Sequence, residues 1–118
     1  MRIEGPAKLV RIYVGESDSW HGKALYDAIV ERARKEGLAG ATVTRGMAGY
    51  GAHSRIHTAS ILRLSEDLPV KIEIVDVAER IELFLPILDD MVKEGLITIQ
   101  DCEVIKYVHA SDDQPPLG

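Results

Sequence analysis

Apolar and polar positions divide this chain into stretches of period two and stretches of helical spacing. In the first stretch Leu9, Val10, Ile12, Tyr13 and Val14 are punctuated by Lys8 and Arg11, a β-rich run that predicts a strand. Leu25, Ala28, Ile29 and Ala33 then recur three and four residues apart, with Glu31, Arg32, Arg34, Lys35 and Glu36 between them, which predicts a helix over 22–36. Gly37 stands where a left-handed residue stops such a helix, and Arg34 and Lys35 meet the negative end of its dipole. Glu16 and Asp18, in the acidic turn before it, read as caps at its positive end. Ala41, Thr42, Val43 and Thr44 predict a second strand, and the alternation of Pro69–Val75 a third. Asp76 offers an N-cap oxygen with Glu79 three residues on, and Ile81, Phe84, Leu85, Leu88 and Val92 continue at helical spacing. Pro86 inside that segment predicts a kink or a split. After Gly95, Leu96–Tyr107 reads as the last strand, with a break at Gln100–Asp101.

The order strand, helix, strand, strand, helix, strand predicts an α+β fold, the ferredoxin-like βαββαβ sandwich: a four-stranded antiparallel sheet with two helices on one face. Leu25, Ile29, Phe84 and Leu88 are the expected cover of that face. The opposite face lacks a layer, which favours oligomerisation. Residues 7–110 form the expected domain, 1–6 a loose lead-in and 111–118 a polar, flexible tail.

A hydrophobic content of 46% in 118 residues suffices for one core without metal or disulfide staples. With 14 Lys and Arg against 19 Asp and Glu the net charge is −5, which argues against general affinity for nucleic acid. Cys102 is the only cysteine, so no internal disulfide forms. Met1–Pro6 lacks the apolar core of a signal peptide and nowhere do about eighteen apolar residues run together, so the expectation is a soluble, cytoplasmic protein.

The chemistry concentrates in residues 46–67, a connection far longer than usual. Gly46, Gly49 and Gly51 fall within six positions, flanked by Arg45 and Arg55. Glycine backbones admit close approach, their N–H groups form a nest, and guanidinium groups bind phosphate oxygens in pairs. The competing reading is a mobile surface loop, because the spacing is neither a Rossmann fingerprint nor a Walker loop. Lys71, mid-strand, is a further phosphate or ribose ligand, or else a solvated lysine paired with Glu73 or Glu103. Lys106 invites the same choice, with the solvated reading the stronger. His53 and His57, four apart, are a weak metal pair without a third ligand. His21 beside Trp20 reads as a packing or capping residue, and Cys102 as a small buried strand residue. No serine sits in a nucleophile-elbow pattern and no triad is arguable, so no catalytic residue is assigned.

The segments Leu9-x-Arg11-Ile12-Tyr13-Val14-Gly15-Glu16, Trp20-His21-Gly22-x-x-Leu25-Tyr26, Gly37–Gly46, Gly49-Tyr50-Gly51 and Leu64-Ser65-x-Asp67-Leu68-Pro69 resemble the uncharacterised PII-like class first catalogued as a domain of unknown function. A more distant similarity is to the nitrogen-regulatory PII proteins. There a glycine and aromatic segment opens the T-loop, matched by Gly49-Tyr50-Gly51, and a Lys-x-Glu strand follows, matched by Lys71–Val75. The resemblance implies a homotrimeric signalling protein, not an enzyme, that binds an adenine nucleotide in clefts between subunits. It implies that the T-loop addresses a protein partner, by analogy a membrane transporter or channel, and that no cofactor is needed beyond the regulatory nucleotide. The phosphate-gripping B-loop of PII falls near Val92–Cys102, which here holds one glycine and two acids, so a less charged nucleotide such as AMP or a cyclic one fits better than a triphosphate. The alternatives are a metal-binding trimer of the same fold or a small enzyme acting on a phosphorylated metabolite.

Overall fold

A computed structural model describes residues 2–49, 57–58 and 68–108. Six main elements follow in order: β1 (Arg2–Gly15), α1 (Leu25–Lys35), β2 (Thr42–Arg45), β3 (Pro69–Asp76), α2 (Ala78–Met91) and β4 (Leu96–Val108). The strands form one antiparallel sheet in the order β2-β3-β1-β4. Two-residue ribbons pair 19–20 with 23–24 and 48–49 with 57–58. This is the predicted ferredoxin-like arrangement.

Period two decides which side chains meet the helices. Val10, Ile12 and Val14 of β1 and Val70, Ile72 and Ile74 of β3 share one buried cluster with Leu25, Ala28, Ile29 and Ala33 of α1 and Ile81, Phe84, Leu88 and Met91 of α2. All four residues expected to cover the sheet lie in it. Removing a fully buried side chain of this size from water contributes about 1.5–3 kcal/mol, so this single layer holds the sheet in register. The other face carries Arg11, Tyr13, Lys71, Glu73 and Val75, all half-buried.

Several local readings change. Residues 2–6 are not a lead-in: β1 begins at Arg2, and this part pairs with the end of β4 through Arg2↔Val108, Ile3↔Tyr107 and Pro6↔Glu103. The irregularity in β4 lies there, at the register shift between Ile3 and Gly5, rather than at Gln100–Asp101. Asp101 sits opposite Lys8 and ion-pairs with it. Helix α1 starts at Leu25, after the first ribbon, and stops as expected at Gly37, whose φ is +86°. Helix α2 runs unbroken through Pro86, because the carbonyl deprived of its donor belongs to Glu82, and both residues are exposed.

Asp76 does not cap α2; Val77 holds the cap position, and its apolar side chain makes no capping hydrogen bond. The Asp76 carboxylate, 0% exposed, accepts from Val77 N at 2.7 Å and from Ala39 N at 2.9 Å. Tyr107 Oη donates to Ala39 O at 2.7 Å, so the N–H and the carbonyl of Ala39, in the α1–β2 connection, both find partners on other elements. The 111–118 tail and most of 46–67 lie outside the described residues.

Candidate functional site

The ends of β1 and β2 and the start of β3 meet at one corner of the sheet, with Gly15 opposite Pro69 and Arg45 opposite Val70. Two main-chain bonds close it: Glu16 N donates to Leu68 O at 2.9 Å and Gly46 N to Pro69 O at 2.7 Å. Asp18 is not a side-chain cap for α1. Its Oδ2 accepts from Gly15 N at 2.9 Å, and its backbone oxygen accepts from Leu25 N at 2.7 Å.

Pro69 explains two of the glycines. A Cβ at Gly46 would lie 2.9 Å from Pro69 Cγ, and one at Gly49, where φ is +148°, 3.3 Å from the same atom. Glycine is therefore required here to seat the start of the 46–67 segment against the proline ring. Beside this root, Arg45 Nη1 stands 3.4 Å from Glu16 Oε2, with 60% of the arginine side chain exposed. Such a long, solvated ion pair contributes little, and an incoming anion displaces it easily.

Lys71 does not share that space. Arg45 pairs with Val70, a helix-side position, whereas Thr44 pairs with Lys71 on the open side, so the two cations leave opposite faces of the sheet. Lys71 Nζ lies 3.9 Å from Glu73, the partner the sequence suggested. Glu103 is not a partner, being opposite Pro6 towards the far end of β1. Glu73 is held mainly by Arg11, whose Nε donates to it at 2.9 Å while Nη1 donates to Gln100 at 2.8 Å. The Arg11 hydrogen bond lowers the Glu73 carboxyl below its ordinary range against the opposing effect of desolvation, with the Lys71 charge adding to the lowering. The same bond raises the Arg11 guanidinium. Lys106 belongs to the opposite end of β4, ten positions past Leu96, or roughly 33 Å at strand rise.

Gly51, His53 and Arg55 lie outside the described residues, and His57 is placed only by its backbone, opposite Gly49. Among the described residues no group of three or more His, Cys, Asp or Glu is gathered as a metal site. Cys102 is a half-buried free thiol. Sequence reasoning missed Glu16 as the Arg45 partner, Pro69 as the block behind the glycines, and Arg11 as the holder of Glu73. For the last, period two alone was a sufficient signal once β1 and β3 were aligned as neighbours.

This frame defines an α+β protein of ferredoxin-type, PII-like fold. It is similar to CPII of Thiomonas intermedia K12, a nitrogen regulatory PII-like protein bound to ADP, AMP and bicarbonate (TM-score 0.57, 18% identity, 84% of this chain and 88% of that one). It is also similar to CutA of Synechococcus elongatus (TM-score 0.57, 13% identity, 96% and 94%). At such identities these likenesses show the fold alone. Residues 7–104 match the DUF190 family, described as an uncharacterized ACR, and the chain belongs to that family. A UPF0166 protein of Aquifex aeolicus is 44% identical over 98 residues, which cover 83% of this chain and 92% of that one. No helix among the described residues is long and apolar enough to cross a membrane.

Proposed function

We propose that this chain is a PII-like regulatory protein, without catalytic turnover, that binds an adenine nucleotide of low charge, AMP or a similar one, between the subunits of a homotrimer. Residues 46–67 carry the signal to a protein partner, by analogy a cytoplasmic face of a transporter or channel. The observation that carries this reading is the corner: a glycine-rich segment rooted on Pro69 beside an exposed arginine that, among the described residues, makes a long contact to Glu16. CPII, with the same fold and ADP and AMP bound, supports the ligand class. Arg45, Gly46, Gly49, Gly51 and Arg55 contribute the phosphate side of the site. Lys71, on the other sheet face, belongs to the same cleft only when a neighbouring subunit brings it there. Two features favour assembly. Among the described residues the second sheet face lacks a covering layer, and β4 is a 13-residue edge strand on which Leu96, Ile99 and Ile105 are 54%, 45% and 81% exposed.

Thermal unfolding against AMP, ADP, ATP and cyclic AMP tests the reading, since a ligand at a hundred times its Kd stabilises by roughly 2.7 kcal/mol. AMP should raise the melting temperature, and Arg45→Ala and Lys71→Ala, both at accessible positions, should abolish the rise while leaving the unliganded fold intact. No rise with any of the four nucleotides sinks the proposal.

A further inference from the structure

A groove that shares no lining residue with the corner lies between the 19–24 ribbon, α1 and the end of α2. It has a volume of about 340 Å³ and is lined by Trp20, His21, Lys23, Glu31, Arg32, Lys35 and the buried Met91. That volume falls at the lower end of the ~300–1,000 Å³ typical of small-molecule sites.

Trp20 is half-buried against the hydrophobic core, and the His21 ring meets it edge-on, with centroids 4.5 Å apart and planes at 69°. The ribbon turns through His21 (φ +49°) and Gly22 (φ +85°), the pair of left-handed residues that a two-residue type I′ hairpin demands. Asn, Asp or Gly normally fills the first of these positions. The turn explains the backbone but not the imidazole; what the imidazole adds is a second aromatic wall beside the groove.

The rim is cationic. Lys23 is taken by Glu31 at 2.7 Å and Arg32 by Glu36 at 2.7 Å, whereas Lys35 makes no ion pair among the described residues. Three cations thus face one lining carboxylate. An aromatic wall next to surplus positive charge suits a ligand with a flat ring and an anionic group. We propose that this groove binds a small aromatic anion, with its ring against Trp20 and His21 and its carboxylate or phosphate at Lys35 and Arg32. The site is separate from the nucleotide corner and stands whether or not that corner binds.

Trp20 is the only tryptophan, so its indole N–H resonance and its fluorescence report on this groove alone. Phenyl phosphate titrated into isotope-labelled protein should shift the Trp20 indole saturably, with inorganic phosphate and phenol, each half of the probe, producing little. Lys35→Glu should weaken the binding about tenfold while the protein stays folded, its melting temperature falling slightly because a cation in the last turn of α1 is lost. His21→Gly relieves the left-handed backbone and should preserve or raise the melting temperature while weakening the binding. Arg45→Ala should leave the Trp20 response unchanged, so failure of the corner and failure of the groove are read separately. The proposal is overturned by no saturable Trp20 shift, by an equal shift with phosphate or phenol alone, or by unaltered affinity in Lys35→Glu.

Discussion

Replacing Asp76 with alanine is expected to destabilise the domain by more than a surface substitution does, and the size of the loss can be worked bond by bond. The carboxylate is 0% exposed, and its two oxygens accept separately from Val77 N (2.7 Å) and Ala39 N (2.9 Å), with the Arg80 guanidinium 3.9 Å away. Hydrogen bonds to a charged group contribute about 1.5–3 kcal/mol each, and a buried donor left without an acceptor costs about 1–3 kcal/mol. Alanine also removes the desolvation of the carboxylate, which offsets part of this. A net loss of about 2–4 kcal/mol follows for Asp76→Ala. Asp76→Asn keeps one acceptor and turns an amide N–H₂ towards the other donor, so it should lose less, about 1–2 kcal/mol. A chain of 118 residues has about 6–18 kcal/mol in total at ~0.05–0.15 per residue, so both variants should fold. Urea unfolding at fixed protein concentration should show the midpoint falling in the order wild type, Asn, Ala at constant m. Hydrogen exchange should show the Ala39 amide losing protection in the alanine variant. An alanine variant within about 1 kcal/mol of wild type, or less affected than the asparagine one, would refute the claim that the Asp76 carboxylate ties the α1–β2 connection at Ala39 to the β3–α2 junction at Val77.

Gly46→Ala should cost about 1–3 kcal/mol by overpacking, because the new methyl meets Pro69 Cγ at 2.9 Å; Gly40→Ala, with nothing within 4 Å, should be neutral or slightly stabilising in the same unfolding assay. Glu73, lowered chiefly by the Arg11 hydrogen bond, contributes stability that is complete above the ordinary carboxyl value of 4.5 and is lost as pH falls through its lower folded value. Stability curves of wild type and Glu73→Gln should therefore run parallel near neutrality and converge in acid, and a constant gap down to pH ~3 would contradict the pairing. Arg45→Ala and Lys71→Ala subunits, each unable to bind nucleotide alone, should regain binding when unfolded and refolded together, at about one interface in four on random mixing; no recovery would place both residues in a site within one subunit.

The periodic parts of this fold were legible because burying one face of a strand or helix requires period two or 3.6. What sequence hid is non-local. Gly5-Pro6 reads as a breaker, yet β3 pairs with β1 only from Lys8 onwards, so among the described residues 2–7 pair with β4 on one side alone. A proline lacking a donor is tolerated on such a half-free strand, and Gly5 takes φ +91° at the register shift. Asp76 with Glu79 matched a capping pattern, but its carboxylate found a donor 37 residues away at Ala39, a partner that no local rule names.

The split between Arg45 and Lys71 was hidden for the same reason, and it constrains function most. Ile72 is 0% and Ile74 1% exposed, so β3 cannot slip by one residue without carrying both into solvent. With β3 held there, the pairings Arg45↔Val70 and Thr44↔Lys71 put the two cations on opposite faces. The core therefore decides the geometry of the charge, and moving Lys71 to the Arg45 face would require unburying those isoleucines. A ligand gripped by both residues accordingly needs a second surface to close the distance between faces. Among the described residues, the open side of the sheet and the outer edge of β4 are where this chain offers one.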